Sequence, residues 1–578
     1  MRPFLDVSDS LLGRSWAGPT AEQDRLAEAV AREAAIDRAL ALTLVRRGVG
    51  AAEARGFLDP KLRDLLPDPL ALRGMGPAAE RVLRAALGGE RVAVFADYDV
   101  DGGASAALVL RWLGAMGARG TLYVPDRIAE GYGPNAPAMA RLSASHDLIV
   151  CVDCGTLAHE ALAAAACDVV VVDHHQGGAT LPRAVAVVNP NRQDEDGSLG
   201  HLCAAGVAFL LLVELNRRLK AEGRQGPDLL AMLDLVALAT VADVAPLTGL
   251  NRALVRAGLQ VMARRERAGL AALADVAGLQ QAPTCHSLGY VLGPRVNAGG
   301  RVGGADLGAR LLLTDDPHEA RALAERLHAL NARRREVEAG VQAEALAQAE
   351  ARGGPLAWAA GEGWHPGVVG IVAARLVGAA ERPAAVIALE GDIGKGSLRS
   401  VPGVDIGAAV ARLVAEGLLL KGGGHAMAAG LTVQRGRLAE AMARLSDLVA
   451  AQATGARASL ALDGVLMPRG ATLALAEAIE RAGPFGASAP QPRWAFPDVL
   501  VARARVVGAG HLKLTLADGL GGRLDAVAWN AAEGPLAALR PGAGRFHVAG
   551  RLEVNAWGGR RGVQLLLDDA ARASRGFG

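Results

Sequence analysis

Apolar residues recur near the helical period through residues 20–90, where Leu26, Val30, Ala34 and Ile36 fall on one stripe, so this stretch predicts helices. From there to about 190 the pattern changes to short apolar runs separated by Ala-rich helical stretches. Residues 91–96, 148–152 and 168–172 each read as a strand buried on both faces, the habit of a parallel sheet with crossover helices. Every one of these runs leads straight into an aspartate. Open α/β sheets place their sites at the carboxyl ends of strands, so these three positions are the first pointer to chemistry. Residues 201–280 return to a helical pattern. The charge-laced segment 319–352 predicts one long exposed helix acting as a rigid connector. A second α/β unit is expected at 355–450, with a strand at 384–389 and Gly-rich punctuation at 394–403 and 421–430. Pro484, Pro490, Pro492 and Pro497 mark a linker. Beyond it, runs at 499–507, 511–516, 524–529, 545–554 and 562–567 predict a small β-barrel.

A length of 578 residues implies three or four domains. With 62 basic and 60 acidic residues the net charge is +2, which excludes a polycation but permits a local basic cleft. The hydrophobic fraction of 51% against 21% charged excludes disorder as the default state. Five cysteines, an odd number, do not make a disulfide framework and favour a reducing compartment. Residues 229–250 are mostly apolar, yet Asp234 and Asp243 lie within them, a costly pair in lipid. The start of the chain lacks an apolar leader pattern, and a soluble cytoplasmic protein is the expectation.

The first run enters Asp97-Tyr98-Asp99-Val100-Asp101-Gly102. Three aspartates at alternate positions repel one another unless something positive sits among them. An EF-hand loop would need Glu six residues after the glycine, where Leu108 stands, so that alternative fails. The second run enters Asp153 and the third Asp173-His174-His175. Carboxylate with imidazole suits Mn²⁺, Mg²⁺ or Zn²⁺. Asp243 in its apolar surroundings is a further acid that wants a cation. Together the clusters hold enough ligands for two divalent metals, the arrangement that activates water and clamps a phosphoryl transition state. Cys151 and Cys154 frame Asp153 without a second CxxC, and read as small buried residues rather than zinc ligands.

The ordered set DYDVDG, VDCG, DHH and TVADV, followed by RVNAGGRV, GWHPGVVGIVAARL, GSLRSVPG and GGGHAMAAG, resembles the RecJ family of the DHH phosphoesterase superfamily, single-strand-specific 5′→3′ DNA exonucleases, over nearly the whole chain. Ala96 and Ala104 stand where that family more usually has Gly and Thr; neither replaces a ligand. The resemblance implies a fold of the α/β class: residues 1–315 as an N-terminal helical region plus the parallel-sheet DHH catalytic domain, 316–352 as the connecting helix, 353–455 as a DHHA1 domain, and 456–578 as a linker with an OB-fold. It implies Asp97, Asp99, Asp101, Asp153, His174 and Asp243 as catalytic metal ligands for two divalent cations, Mn²⁺ or Mg²⁺, and His175 as the catalytic group facing the substrate phosphate. Arg127, Arg295, Asn297, Arg301, Ser397, Arg399 and His425 stand in Gly-rich or turn-like contexts suited to phosphate and DNA. In the barrel, Lys513, Arg523, Arg545, Arg551, Arg560 and Arg561, with Trp529, Phe546 and Trp557, are of the type that binds single strands. The connecting helix would set the width of a gap that admits one strand but not a duplex. Single-stranded DNA is the expected partner, with a single-strand-binding protein and a RecQ-type helicase implied by the resemblance, no membrane, and a monomeric state. Two rivals are a phosphodiesterase of short oligonucleotides or small nucleotides, which needs neither tail nor connector, and a non-catalytic strand-binding replication scaffold, which would have lost ligands.

Overall fold

The computed structural model describes residues 2–127, 130–452, 459–508, 510–557 and 560–573. Its contacts divide the chain into two units, one of residues 68–243 and 258–456, the other of 1–67, 244–257 and 457–578.

In the first unit the three expected strands, Arg91–Ala96, Leu148–Val152 and Asp168–Val172, are adjacent and parallel. Two short strands that the apolar pattern does not single out, Arg119–Tyr123 and Ala186–Val188, complete the edges. The central strand Leu148–Val152 is buried along its whole length, as its unbroken apolar run demands. Helix Val100–Ala115 follows the first acidic strand end, and its first turn is capped by Asp99, whose Oδ1 accepts from the N–H groups of Asp101 and Gly102. Asp234 is paired with Arg267, Nε to Oδ2 at 2.7 Å, which settles one of the two acids of the apolar stretch 229–250. Among the described residues no helix is long and apolar enough to cross a membrane.

A second, five-stranded sheet in this unit runs in the order Lys421–His425, Ala428–Gln434, Ile393–Arg399, Ala384–Glu390, Ala357–Glu362, with only the last pair parallel. The connecting helix spans Pro317–Arg352, starting at an Asp316 cap and ending at Gly353 with φ of 64°. It is not exposed throughout, as its charge suggested. Ala320, Leu323, Ala324 and Leu327 are buried at the start, and Val341, Ala345 and Ala349 enter a core with Trp364 and Val372. Buried apolar positions recur at spacings of three and four, and the alanines among them are too small for this stripe to stand out among Glu and Arg.

In the other unit Trp494–Val507, His511–Ala517, Arg523–Ala528, Arg560–Arg572 and Arg545–Trp557 pair in sequence, and the last pairs back with the first, closing a five-stranded barrel. The proline-marked linker is shorter than expected. Pro497 lies inside the first strand, at the register shift between Phe496 and Val499, a place where a missing N–H is tolerated; the carbonyl of Pro484 accepts from the buried Arg252 Nη1 at 2.9 Å. Residues 1–67, expected to join the catalytic domain, contact this unit instead. Ser15–Ala17 pairs with Ser459–Ala461, and the buried Trp16 donates Nε1–H to Asp569 Oδ2 at 3.0 Å.

Phe546, expected as a base platform, is completely buried in the barrel core beside Phe496 and Leu565, whereas Trp529 is 60% exposed. Phe546→Ala is therefore expected to destabilise the barrel by about 3–5 kcal/mol, and Trp529→Ala by less than about 0.5 kcal/mol, read as urea midpoints. Equal midpoints would contradict this division of core from surface.

Candidate metal centre

Asp97, Asp153 and Asp173 follow the ends of three neighbouring parallel strands, and Asp243 ends helix Leu233–Ala242. Two glycines make the assembly possible. A Cβ on Gly102 would lie 2.4 Å from the carbonyl oxygen of Asp97, and one on Gly300 would lie 2.8 Å from that of Tyr98, so the helices bearing them can approach the acidic turn only with bare backbone. Asp153 itself has φ of 60°, a left-handed conformation that a short polar side chain tolerates and that turns its carboxylate out of the strand direction.

The His174 Nε2 atom lies 3.3 Å from Asp153 Oδ1, 3.7 Å from Asp101 Oδ2 and 3.9 Å from Asp243 Oδ2. Among the described residues three ligand sets have donor atoms within 4.8 Å of one another: Asp97, Asp99 and Asp153; Asp101, His174 and Asp243; and Asp153, His174 and His175. The first two sets share no residue, while Asp153 and His174 join them. The donors fit divalent cations on a separate ground: Asp97 Oδ1 is buried with no hydrogen-bond partner, an arrangement that is expensive unless an ion completes it. Asp101 has a second role, since its two oxygens accept from the N–H groups of Ala204 and Ala205 at 2.7 and 2.8 Å, the exposed amides of a helix N-terminus.

Burial and then the Asp99 charge push the Asp97 carboxyl up to about 8. Burial, with Asp101 and Asp99, does the same for Asp243, and burial and Asp101 hold Asp153 well above the usual carboxyl range. His175 is the exception among these neighbours. Burial would lower it, but the Asp173 hydrogen bond, Nδ1 to Oδ1 at 2.8 Å, and the Asp173 charge raise it to about 9, so it carries a positive charge at neutral pH.

Asp97, Asp99, Asp153, His175 and Asp243 line a cavity of about 200 Å³ together with Arg127, Asn297 and Arg301. Asn297 also fastens the acidic turn, its Oδ1 accepting from the Val100 N–H at 3.0 Å. Arg301 donates from Nη1 to the Gly367 carbonyl at 3.0 Å, tying the cavity wall to the segment that opens helix Val369–Ala380. Arg295, Ser397, Arg399 and His425 do not line this cavity. Arg295 packs toward His328. Arg399 donates to Ser397 Oγ at 3.2 Å, and both lie against Gly370 in the first turn of helix Val369–Ala380, where a Cβ would be 3.1 Å from Ser397 Oγ and 3.5 Å from Arg399 Nη2. His425 ends the exposed edge strand Lys421–His425.

Two aromatic neighbours, Tyr98 and Tyr132, are not among the site residues read from sequence, and Asp173, named there within the third cluster, is given no orienting role. Asp173 orients His175. The Tyr132 hydroxyl lies 3.0 Å from His175 Nε2, and Arg127 stacks over Tyr98, 4.9 Å from its centroid. Tyr98 lies within the first acidic motif and Tyr132 within the run EGYG at 130–133, so a stricter reading of aromatics beside acids would have found them. In the barrel, a groove of about 980 Å³ is lined by Lys513 and Arg523 as expected, and by Arg503 and Arg505, which were missed. Arg545, Arg551 and Arg561 are instead paired with Asp498, Asp568 and Glu477. The side chains of Trp557 and Arg560 lie outside the described residues.

Comparison with known proteins agrees with this layout. The chain matches the DHH family N-terminal domain at residues 91–240, the DHHA1 domain at 353–451 and the RecJ OB domain at 462–569. It is 40% identical over 546 residues to the single-stranded-DNA-specific exonuclease RecJ of Dickeya dadantii, covering 88% of this chain and 92% of the relative. Identity to the Escherichia coli protein of the same name is 36%, covering 90% and 94%. The crystal structure of RecJ in complex with Mn²⁺ from Thermus thermophilus superposes with a TM-score of 0.82 at 33% identity, over 97% of this chain and 80% of that one. Its Mg²⁺ complex gives 0.75 at 32% identity, over 97% and 78%.

The raised carboxyls fix a pH dependence. In the unfolded chain these groups ionise near 4, whereas in the metal-free fold Asp97 and Asp243 hold protons up to about 8. The metal-free fold therefore loses stability as pH rises between those values, while a cation must displace protons at the lower end. The rise in melting temperature on adding Mn²⁺ is expected to be larger at pH 8.5 than at pH 6. Scanning fluorimetry giving equal rises would show that these carboxyls are not the ligands.

Proposed function

The chain belongs to the RecJ family of single-stranded-DNA-specific exonucleases, and we propose that it removes nucleotides from the 5′ end of single-stranded DNA by hydrolysing phosphodiester bonds with two divalent cations, Mn²⁺ or Mg²⁺. The observation that carries this reading is the pair of separate ligand sets joined through Asp153 and His174. Asp97, Asp99 and Asp153 would hold one cation and Asp101, His174 and Asp243 the other. Bound there, the cations supply an activated water and charge stabilisation at the phosphorus. The chain's own groups do the rest. His175, kept protonated by Asp173, meets a phosphate oxygen as a charged donor, and Arg127 and Arg301 face the same cavity with the fork geometry that suits phosphate. Ser397 and Arg399, at the amide-rich start of helix Val369–Ala380, are suited to the terminal 5′ phosphate.

The cations of the barrel groove, Arg503, Arg505, Lys513 and Arg523, support contact with the strand backbone, which needs no sequence information. Such an enzyme serves recombination and repair in the cytoplasm, as a monomer acting on strands exposed by a RecQ-type helicase and covered by single-strand-binding protein.

Asp153→Asn is expected to lower the rate on a 5′-labelled single strand with Mn²⁺ by at least about 10³-fold, with strand affinity within about threefold, because phosphate contacts from Arg do most of the anchoring. Retained cleavage would remove Asp153 from the ligand set. Arg399→Ala is expected to erase any preference for a 5′-phosphate over a 5′-hydroxyl end, measured as the ratio of kcat/KM; an unchanged ratio would relocate the end-binding pocket.

A further inference from the structure

The π-helical turn Ser287–Leu292 leads directly into helix Gly293–Val302, which carries Asn297 and Arg301 into the metal cavity. Such turns are uncommon and concentrate at functional sites. This one packs on the end of the helix that delivers Asp243. A Cβ on Gly289 would lie 3.4 Å from Val241 Cγ1, and one on Gly293 would lie 3.2 Å from the Ala242 Cβ. On its outer side Tyr290 stacks on His286, with centroids 5.0 Å apart and planes at 27°. One face of the tyrosine is thereby supported, while the residue as a whole remains 76% exposed.

Basic side chains gather beside this stack. Arg295 donates from Nη1 to the carbonyl of Val291 at 2.7 Å and lies 3.4 Å from His328 Nδ1, and Arg334 and Arg335 are close enough to oppose its charge. Arg334 faces the buried Glu338 at 3.8 Å; among the described residues Arg295, His328 and Arg335 have no carboxylate partner. Arginines gathered beside an exposed, pre-stacked aromatic ring are the two components that grip a single strand, one for phosphates and one for an unstacked base.

We propose that Tyr290, supported by His286, is a stacking platform for a base of the bound single strand, and that Arg295, His328 and Arg335 hold the adjoining phosphates. This rests on the single-strand exonuclease reading above and deepens it. A base inside a duplex is already stacked on both faces and cannot lie on the ring, so the platform favours single strands without reading sequence.

Steady-state cleavage and 2-aminopurine fluorescence test it in the full-length protein. Tyr290→Ala is expected to raise KM for a single strand about tenfold with kcat within twofold, and Tyr290→Trp to restore KM. In an uncleaving Asp153→Asn background, oligonucleotides carrying 2-aminopurine at successive positions from the 5′ end are expected to be quenched at one or two neighbouring positions, and Tyr290→Ala to remove that quenching. Because the side chain is exposed, the substitution does not threaten the fold. Unchanged KM and an unchanged quenching profile in Tyr290→Ala, with the parent cleaving normally, would overturn the platform alone. A parent enzyme that cleaves no single strand would overturn the exonuclease reading itself, and the platform with it.

Discussion

Mutual repulsion among aspartates is the constraint around which the catalytic unit is built. Asp101, Asp153 and Asp243 converge on the His174 Nε2 atom, and Asp97, Asp99, Asp153 and Asp243 on one small cavity. Burial denies them the water that would otherwise screen them. Without a cation the site protects itself by holding protons, which is what the raised carboxyls of Asp97 and Asp243 express. On the proposed reading, divalent ions would replace those protons, and the cost of the arrangement would be offset there.

Acids of one cluster are not equivalent. Asp101 spends both oxygens on the amides that open helix Ala204–Ala221, and Asp99 caps helix Val100–Ala115, so each positions a helix as well as offering a lone pair. Asp97 Oδ1 has no such duty, and Asp153 is reached through a left-handed backbone turn. Asp173 stands apart, its carboxyl held well below the usual range because, against the cost of burial, His175 stabilises its charge. It serves to keep a cation, not to bind one.

Much of this was legible from residue order alone. Apolar runs that end in Asp mark strand ends, and those positions do adjoin in the sheet. Less visible were features set by distant partners. The alanine stripe of helix Pro317–Arg352 is apolar only by comparison with its charged neighbours, and its burial depends on Trp364 and Val372 packing against it. Nothing local in residues 1–67 announces that Trp16 will reach Asp569. Phe546 shares its composition class with Trp529, but alternation within a closing barrel strand sends one inward and the sequence around a single aromatic does not say which. Conversely Gly102 and Gly300 could be read as turn formers, whereas their reason is close passage of backbone against backbone.

Pairing, rather than the number of basic residues, explains how a chain of net charge +2 can hold a polyanion. Arg545, Arg551 and Arg561 meet carboxylates on their own unit, so displacing those partners would offset most of what a phosphate contact contributes. Among the described residues Arg503, Arg505, Lys513 and Arg523 have no such partner, and these are the cations that line the barrel groove. The same sorting operates in the catalytic unit, where Arg81 and Arg267 are tied to acids while Arg127 and Arg301 line the cavity with Asp97, Asp99, Asp153 and Asp243. Acidic residues thus stand in two settings, one group clustered with suitable metal donors and another neutralising basic side chains on its own unit. A strand phosphate is attracted to the remainder, and the near-neutral total is the sum of two strongly uneven distributions.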